Sequence, residues 1–498
     1  MERAHMKKAN ALIIGAGLGG ISAAISLAAN GWNVTLAEKN SKIGGKLNLL
    51  RQDGFLFDLG PSLLTMPHVF EALFARAGRR MEDYVDLVRI PLQWRNFFED
   101  GAKLDLHESV HTTADELNLF SPCAGSQFQD YCAYAHKQRT LAEEIYFRRG
   151  RDNVWDLLLG SNPLKIIQMD FFHSVSGSVK KRIQEPHIRE IMNYFCKYVG
   201  SSPDRAPGFL SLLPAVQFAY GVHYVKRGMY GLAEGLHRLL EELEVEVKTG
   251  FEATELKSSR SGRVTTVTFL NGEERQCDLL LSNMEIIPFY SRVAGLADLS
   301  RSLERWFPPS CSGLVIHLGT DTTYPDVAHH NIFHSANPHK QFRSVFIRKQ
   351  LPDDPTLYVV RPTKTDSSLA PEGCDIIKVL PQIPHLHSLR SWTPDDMNVL
   401  KESVLEKLER MGLTNLRKHI VSEKTLTPYD LRDMYYSNRG SIYGTVSDRW
   451  RNMAIKAAQR SRIYDNLFFV GGSVNPGGGM PMVVLSGMQV GDRIGKPL

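Results

Sequence analysis

A glycine-rich turn close to the start of the sequence places the strongest constraint on its fold. Gly15, Gly17 and Gly20 form G-x-G-x-x-G directly after the apolar run ALII at 11–14, which predicts a buried parallel strand. In such a unit the first glycine permits a tight turn and the second lets a pyrophosphate approach the backbone. The third lets the following helix pack closely on the strand. The turn therefore predicts a site for a nucleotide phosphate.

The residues after the turn complete a strand–helix–strand unit. Small residues over 21–29 predict a helix that ends at Asn30, and the apolar run 34–37 predicts a second strand. Glu38 stands at the end of that strand, where a carboxylate accepts hydrogen bonds from a ribose diol. A glycine-rich turn in some other α/β unit is the alternative, but the combination of strands, helix and acid favours dinucleotide binding.

Length and composition are those of an ordinary globular protein. The chain has 498 residues, which suggests two or three domains, and its net charge of +5 gives no reason to expect nucleic acid. The first ten residues hold no secretory signal, and no apolar run is long enough to predict a transmembrane helix. We therefore expect a cytoplasmic protein. That setting fits six cysteines without a C-x-x-C pair, namely Cys123, Cys132, Cys196, Cys277, Cys311 and Cys374.

Three separate parts of the chain have the pattern of a nucleotide-binding domain. Strand character returns over 245–256 and at 278–283, and Asn271-Gly272 between them predicts a hairpin. A third part, 466–494, combines a buried strand, a glycine-rich loop and a helix. We predict an α/β fold with a discontinuous Rossmann-like domain and an α+β substrate domain. The predicted boundaries are 1–70, 245–300 and 460–498 for the first domain, and 71–244 and 301–459 for the second.

Two further glycine-rich segments extend the predicted site. SKIGGKLN at 41–48 follows the acid, so Lys46 is either a charge partner of the phosphates or a solvated surface lysine. Near the other end of the chain, a loop at 475–479 leads into a helix that begins at Met480. The N-terminus of that helix can stabilise negative charge on a flavin ring, and the alternative is an unrelated strand and helix.

The predicted substrate domain contains a hairpin signal at Asp100-Gly101 and one segment of unusual composition. Over 147–182, arginines and lysines stand beside Trp, Leu and Phe, as in LKIIQMDFF at 164–172. This composition fits a helical region that lies in a membrane interface. The alternative is a helical hairpin packed on the protein's own core, which the residues alone favour because core helices are commoner.

Histidines over 317–339 form another group of ligand-type residues. Their spacing matches neither H-E-x-x-H nor another firm metal-ligand pattern. We therefore predict scattered core and surface histidines, and no metal site, at His317, His329, His330, His334 and His339.

Taken together, these motifs resemble the carotenoid desaturase-like flavoproteins, which have an amine-oxidase-like FAD fold. The resemblance covers nearly the whole chain. Its internal segments favour one branch of that family, the 4,4'-diaponeurosporene oxygenases, which oxidise the terminal methyl group of C30 carotenoids. The segments that carry it are GAGLGG (15–20), DLGPSLLTMP (58–67), PLQWRNFFEDG (91–101), KYVGSS (197–202), LSNMEIIPFY (281–290), LPDDPTLY (351–358), SNRGSIYG (437–444) and GGSVNPGGGMPMVVLSG (471–487).

The resemblance implies one FAD held between the two ends of the chain. It places the pyrophosphate on the turn formed by Gly15, Ala16, Gly17, Leu18, Gly19 and Gly20. It places the adenosine ribose on Glu38, the phosphates near Lys46, and the ribityl chain and ring near Gly472 and Met480. It assigns no catalytic side chain. Candidates by motif position alone are Trp94, Arg95, Tyr198 and Met480.

The implied activity is FAD-dependent oxidation of the terminal methyl group of a C30 carotenoid, 4,4'-diaponeurosporene or diapolycopene, to an aldehyde. Such a substrate has no ionisable group, so the flavin accepts the hydride while the protein supplies position and a dry site. Molecular oxygen and the membrane surface are further expected partners, with 147–182 as the membrane-facing entrance of a peripherally attached protein. Two alternatives stay open: a 4,4'-diapophytoene desaturase that introduces C=C bonds, and a non-catalytic FAD protein that binds a lipid.

Overall fold

The computed structural model describes residues 9–147, 162–387 and 391–497. In this part of the chain, five parallel strands form one sheet. They come from three separate parts of the chain, as the sequence pattern predicts, although the domain boundaries themselves stay a prediction. In spatial order the strands are Leu467–Phe469, Leu279–Ser282, Asn10–Ile14, Asn33–Glu38 and Glu246–Thr249.

The central strand Asn10–Ile14 sends alternate side chains into two different cores, as the period of two in a strand requires. Ala11 and Ile13 belong to a large core that includes the first helix. Leu12 and Ile14 pack in another core with a three-stranded antiparallel sheet. Because both faces are covered, the four buried residues of the strand, 11–14, are all apolar. The strands of the smaller sheet are Ala253–Ser258, Val264–Phe269 and Glu274–Gln276, which confirms the hairpin predicted at Asn271-Gly272.

Helices and short hairpins surround the first core. The helix Leu18–Ala29 begins three residues earlier than predicted, since the carbonyl oxygen of Gly17 already accepts a hydrogen bond from the N–H of Ile21. The predicted strand character over 245–256 divides between two sheets at Gly250, whose φ is +74°. The other elements here are the helices Pro67–Arg76, Gly231–Glu242 and Met480–Ile494, and the strand pairs Leu49–Gln52 with Phe55–Asp58 and Leu87–Arg89 with His223–Val225.

A second, larger sheet stands beside the parallel one. Its pairs are antiparallel except for Leu92–Phe97 against His330–Phe333, and the hairpin predicted at Asp100-Gly101 is confirmed. The short strand Ser312–Gly313 pairs with the end of the longest strand, Asp375–Ile383. In spatial order the others are Ile420–Leu426, Val315–Thr320, Asp375–Ile383, Leu357–Val360, His330–Phe333, Leu92–Phe97 and Lys103–His107.

Helices cover this second sheet and connect it to the parallel sheet. One group shares a core with Trp94, which is fully buried. That group is Val110–Phe120, Ala124–Ala142, Pro163–Gln168, Val175–Lys180, Pro186–Tyr194 and Leu212–Tyr220. The remaining helices are Ile286–Arg292, Ala297–Trp306, Pro338–Phe342, Pro394–Arg410 and Pro428–Tyr435.

The segment predicted to face a membrane is described only in part, since 148–161 lie outside the described residues. Its described remainder forms the short helices Pro163–Gln168 and Val175–Lys180. Within the three described ranges, no helix combines the length and the apolar character needed to cross a bilayer.

Candidate active site

The first glycine turn has the backbone geometry that its motif predicts. Gly15 has a φ of +92°, and its N–H donates a 2.7 Å hydrogen bond to the carbonyl oxygen of Ala37. A Cβ on Gly20 would lie 2.1 Å from the carbonyl oxygen of Gly15, so only glycine allows the helix to approach this closely. The turn thus brings the start of the helix to the carboxyl edge of the parallel sheet.

The helix Leu18–Ala29 opens into a cavity of about 480 Å³, and Gly15, Gly17, Leu18 and Gly19 line it. Gly17 is the N-cap, and no side chain of the described residues caps this helix. The first backbone N–H groups of a helix lack intrahelical partners, and the helix dipole is positive at this end. This end of the cavity is therefore suited to an anion such as a phosphate.

Asn283 packs directly against this helix start and also lines the cavity, and the sequence motifs include it only as part of LSNMEIIPFY, without a role. It follows the strand Leu279–Ser282, at the carboxyl edge of the sheet. A Cβ on Gly17 would lie 2.7 Å from Asn283 Nδ2, and one on Gly19 would lie 2.6 Å from Asn283 Oδ1. The polar residue directly after a buried strand is the signal that could have identified Asn283.

Glu38 lines the cavity where the second strand ends. Its Oε2 accepts a 2.8 Å hydrogen bond from the N–H of Ala16, and Oε1 accepts one of 2.9 Å from the N–H of Asn40. Burial raises the pKa of the Glu38 carboxyl, while the two backbone donors act in the opposite direction. Each carboxylate oxygen has a further lone pair, so the group can also accept from a ribose. Ala16 and Gly20 support the turn and are not among the lining residues.

Lys46 also lines the cavity, where its side chain is 33% exposed and contacts a distant loop. Its Nζ donates to the carbonyl oxygens of Ser441 and Ile442, at 3.1 and 3.0 Å, and lies 3.4 Å from a carboxylate oxygen of Glu285. The side chain of Glu285 is 14% exposed. Lys46 therefore links the first glycine-rich region to the loop at 437–444.

The C-terminal glycine-rich loop meets the N-terminal turn at the same cavity. Gly472 and Met480 line it, and the helix Met480–Ile494 begins after Gly479 without a side-chain cap. A Cβ on Gly19 would lie 3.0 Å from Gly471, so the two loops touch through backbone. Two helix N-termini from opposite ends of the chain therefore open into one space.

The cavity continues from the glycine loops into a largely apolar region. Tyr198 lies there, and its hydroxyl donates a 2.9 Å hydrogen bond to Gln217 Oε1. The apolar and aromatic lining includes Leu63, Phe147, Phe209, Leu210, Leu213, Val216, Tyr358, Val360, Leu380 and Tyr443. A long ligand without polar groups fits such a wall.

Of the four candidate catalytic side chains named from motif position, two line the cavity and two do not. Tyr198 and Met480 line the cavity, whereas Trp94 and Arg95 are not among the lining residues. Trp94 is buried behind the wall, where its ring stacks on Phe195 with centroids 4.2 Å apart. The guanidinium of Arg95 forms a bidentate ion pair with an aspartate of the neighbouring strand. Trp94 and Arg95 therefore stabilise the scaffold.

Three buried lysines line the cavity, although the sequence motifs do not point to them: Lys197, Lys378 and Lys456. Lys378 Nζ donates to the carbonyl oxygen of Asp58 at 2.8 Å, and burial lowers its pKa to about 8. Lys456 Nζ donates to the carbonyl oxygen of Thr445 at 2.7 Å, and burial lowers its pKa to about 7. Their positions in the sequence are far apart, so no local motif marks them as neighbours.

Four of the five histidines over 317–339 hydrogen-bond within the protein. His317 bonds to the carbonyl oxygens of Lys424 and Asp58. His329, His330 and His334 are buried beside Thr365, Tyr358 and Asn96, respectively. His339 is exposed at the surface. Core and surface histidines are thus mixed, as predicted.

The flavin containing amine oxidoreductase family matches residues 18–495, which is most of the chain. The chain belongs to this family. As a family member it is an FAD-dependent oxidoreductase, and FAD is the cofactor that the sequence resemblance implies.

Curated relatives are similar over nearly their full length. The 4,4'-diapolycopene oxygenase of Methylomonas sp is 51% identical over 485 residues, with 97% of each chain covered. The 4,4'-diaponeurosporene oxygenase of Staphylococcus aureus (strain USA300) is 45% identical over 486 residues, again with 97% of each covered.

Solved structures show that the fold of this flavoprotein extends to distant proteins. An oxidoreductase from Methanosarcina mazei has a TM-score of 0.68 at 14% identity, covering 97% of this chain and 100% of that one. Wild-type putrescine oxidase bound to putrescine has a TM-score of 0.65 at 14% identity, covering 98% and 99%.

The residues of the cavity fit FAD. Among the described residues neither helix N-terminus has a side-chain cap, and in the wall between them Gly17, Gly19 and Gly478 have no room for a Cβ beside Asn283 or the carbonyl oxygen of Tyr443. Glu38 supplies an acceptor at one end. This combination suits a ligand with two phosphates and a ribose next to an apolar chamber.

Proposed function

We propose that this flavoprotein oxidises the terminal methyl group of a C30 carotenoid, 4,4'-diaponeurosporene or diapolycopene, to an aldehyde. The names of two relatives at 51% and 45% identity support this activity. The observation that carries the proposal is the single cavity, which joins the glycine loops to an apolar chamber. A polyene without polar groups fits that chamber, with one end towards the cofactor.

The proposal assigns the parts of FAD to specific positions. The pyrophosphate lies on the turn from Gly15 to Gly20, and the adenosine ribose lies at Glu38. Lys46 neighbours the phosphates, while Gly472 and Met480 neighbour the ribityl chain and the ring. Their positions around one cavity support these assignments.

The side chains of the protein supply position and exclusion of water. When bound, FAD supplies an acceptor for the hydride of an allylic C–H bond. Leu213, Val216 and Phe209 offer the polyene apolar contacts that fix it without ionic groups. In the overall balance, one methyl group and one dioxygen give one aldehyde and one water. Dioxygen is therefore the proposed co-substrate.

We also propose that the protein lies on a membrane surface, at the cytoplasmic face, and takes its substrate from the bilayer. Phe172 and Trp450 are 81% and 69% exposed. Arg449, the sequence neighbour of Trp450, donates a hydrogen bond to the carbonyl oxygen of Phe172 and so connects the two segments. Leu164 and Ile167, at 68% and 76% exposure, stand on the nearby helix Pro163–Gln168. Exposed apolar side chains of this kind suit shallow insertion among lipids.

The proposal is tested by expression in a host that accumulates 4,4'-diaponeurosporene, with mass analysis of the extracted pigment. The expected pigment has gained one oxygen and lost two hydrogens. A Gly17→Glu variant, whose carboxylate would occupy the phosphate position, should leave the pigment unchanged. A pigment that has lost hydrogens without gaining oxygen would favour a desaturase. An unchanged pigment with FAD-loaded wild-type protein would favour a lipid-binding role.

A further inference from the structure

Lys197 occupies an aromatic corner of the apolar chamber. It belongs to the turn Phe195–Val199, is 5% exposed, and lines the cavity together with Tyr198 and Tyr358. Its Nζ lies 3.2 Å from the ring centroid of Tyr358 and 4.7 Å from those of Tyr198 and Trp94. An amine surrounded by ring faces thus stands where a polyene would lie.

In the part of the chain that the structure describes, Lys197 differs from the other two lysines of the cavity in having no polar hydrogen-bond partner. Lys378 and Lys456 each donate to carbonyl oxygens and to a serine hydroxyl. Among the described residues, no carboxylate, carbonyl or hydroxyl receives a hydrogen bond from Lys197, and burial alone lowers its pKa well below the ordinary value. A desolvated lysine of this kind gives up its proton more readily than an exposed one, and the neutral amine that results is a nucleophile.

We propose that Lys197 forms a reversible imine with the aldehyde end of a polyene bound in the cavity. This inference rests on the proposed function for the source of the aldehyde. The aldehyde carbon bonds to Nζ, its bond to oxygen breaks, and the oxygen leaves as water with the two amine hydrogens. The step needs no oxidant or reductant.

The ring faces around Lys197 suit the product of this step. The imine is uncharged and continues the conjugation of the polyene, so its flat end packs against aromatic faces without a charge to desolvate. The rings of Tyr358, Tyr198 and Trp94 already surround the nitrogen. The methyl substrate cannot form this bond, so Lys197 distinguishes product from substrate. The imine retains the reactive aldehyde inside the protein until it is hydrolysed.

Borohydride trapping tests the inference. Holoprotein is incubated with chemically prepared 4,4'-diaponeurosporenal, reduced with sodium borohydride, digested and analysed by mass spectrometry. We expect a secondary-amine adduct on Lys197 in most molecules of wild-type protein. Lys197→Met and Lys197→Arg should lose at least nine-tenths of the adduct. Bound FAD is measured in each variant, because unchanged FAD content shows that the fold is preserved.

Lys378 and Lys456 serve as internal controls, since they line the same cavity but donate their hydrogens elsewhere. Adducts on these lysines, on surface lysines, or on none would overturn the inference. Pigment oxidation is measured separately. An adduct on Lys197 without methyl oxidation would reject the proposed function but support the assignment of Lys197 as an aldehyde-binding residue. Methyl oxidation without the adduct would reject the inference alone.

Discussion

A Cβ on Gly487 would lie 2.5 Å from the carbonyl oxygen of Gly19 and 2.7 Å from the backbone nitrogen of Ala23. The helices from the two ends of the chain are therefore in direct backbone contact. Ser22 Oγ adds a 2.7 Å hydrogen bond to the carbonyl oxygen of Val484. This contact holds the two helix N-termini beside one cavity, where we propose that FAD binds.

Replacement of Gly487 by alanine should therefore loosen the cofactor site. The added Cβ meets backbone atoms that cannot rotate away, and overpacking of this kind costs about 1–3 kcal/mol. We expect a lower melting temperature and a lower FAD-to-protein ratio after purification. Asp492→Ala on the same helix is the control, because its ion pair with Arg76 is solvent-exposed and worth roughly 0–1 kcal/mol. Equal FAD content in both variants would contradict the prediction.

The Glu38→Gln variant should lose affinity for FAD but not for FMN. Glu38 is proposed to hold the adenosine ribose, which FMN lacks. Glutamine keeps an oxygen acceptor for one of the two backbone donors, Ala16 and Asn40, so the turn retains part of its support. Fluorescence titration of apoprotein should show the dissociation constant for FAD rising about tenfold, equivalent to roughly 1.4 kcal/mol. A similar loss for FMN would mean that the change acts on the fold.

Asp58 should make the protein less stable as the pH rises through the mildly acidic range. Its carboxylate accepts hydrogen bonds from the Tyr224 hydroxyl and the Met229 N–H, yet burial raises its pKa from 3.8 to about 6. Between these values the unfolded chain releases the proton and the folded chain keeps it. The free energy of unfolding therefore falls by roughly 3 kcal/mol from about pH 4 to pH 6.

Asp58→Asn removes that titration and keeps a side chain of the same shape. Urea unfolding of both proteins across this range should show a steeper fall with rising pH in the wild type. The two proteins should differ by a constant amount above about pH 7. Parallel curves over the whole range would show that Asp58 has no raised pKa.

Replacing Phe172 and Trp450 by serine should weaken binding to lipid vesicles. Both side chains are exposed, Phe172 within the segment 147–182 and Trp450 close to it. Their insertion would bury apolar surface in the bilayer. We expect sedimentation with vesicles to fall at least fivefold. The matched control replaces Leu270 and Trp306, which are 70% and 64% exposed on other elements. Equal loss in both double variants would indicate a general effect of hydrophobicity.

The parts of the site that the sequence predicts are those built by local backbone. The turn at Gly15, the acid Glu38 and the helix from Met480 each depend on neighbours within a few residues, so the motifs predict their positions. Lys46 shows the limit of this approach. Its carbonyl partners at Ser441 and Ile442 come from a distant segment, so the sequence leaves its environment open.

Lys197 shows the same limit more clearly. Within the sequence it is one lysine in KYVGSS, and nothing local predicts its burial. The burial arises because the strands that carry Trp94 and Tyr358 belong to one sheet, and their rings close around the turn Phe195–Val199. Long-range packing of this kind leaves no periodic signal in the sequence.

Incubation of purified holoprotein with 4,4'-diaponeurosporene under isotopically heavy dioxygen is the sharpest test of the proposed oxidation of the terminal methyl group by FAD and dioxygen. The measurement is the mass of the product at early times, before its aldehyde exchanges oxygen with water. We expect an aldehyde that carries the heavy oxygen and that does not form when FAD has been removed. An unlabelled aldehyde, or a product with fewer hydrogens and no added oxygen, would contradict the proposal.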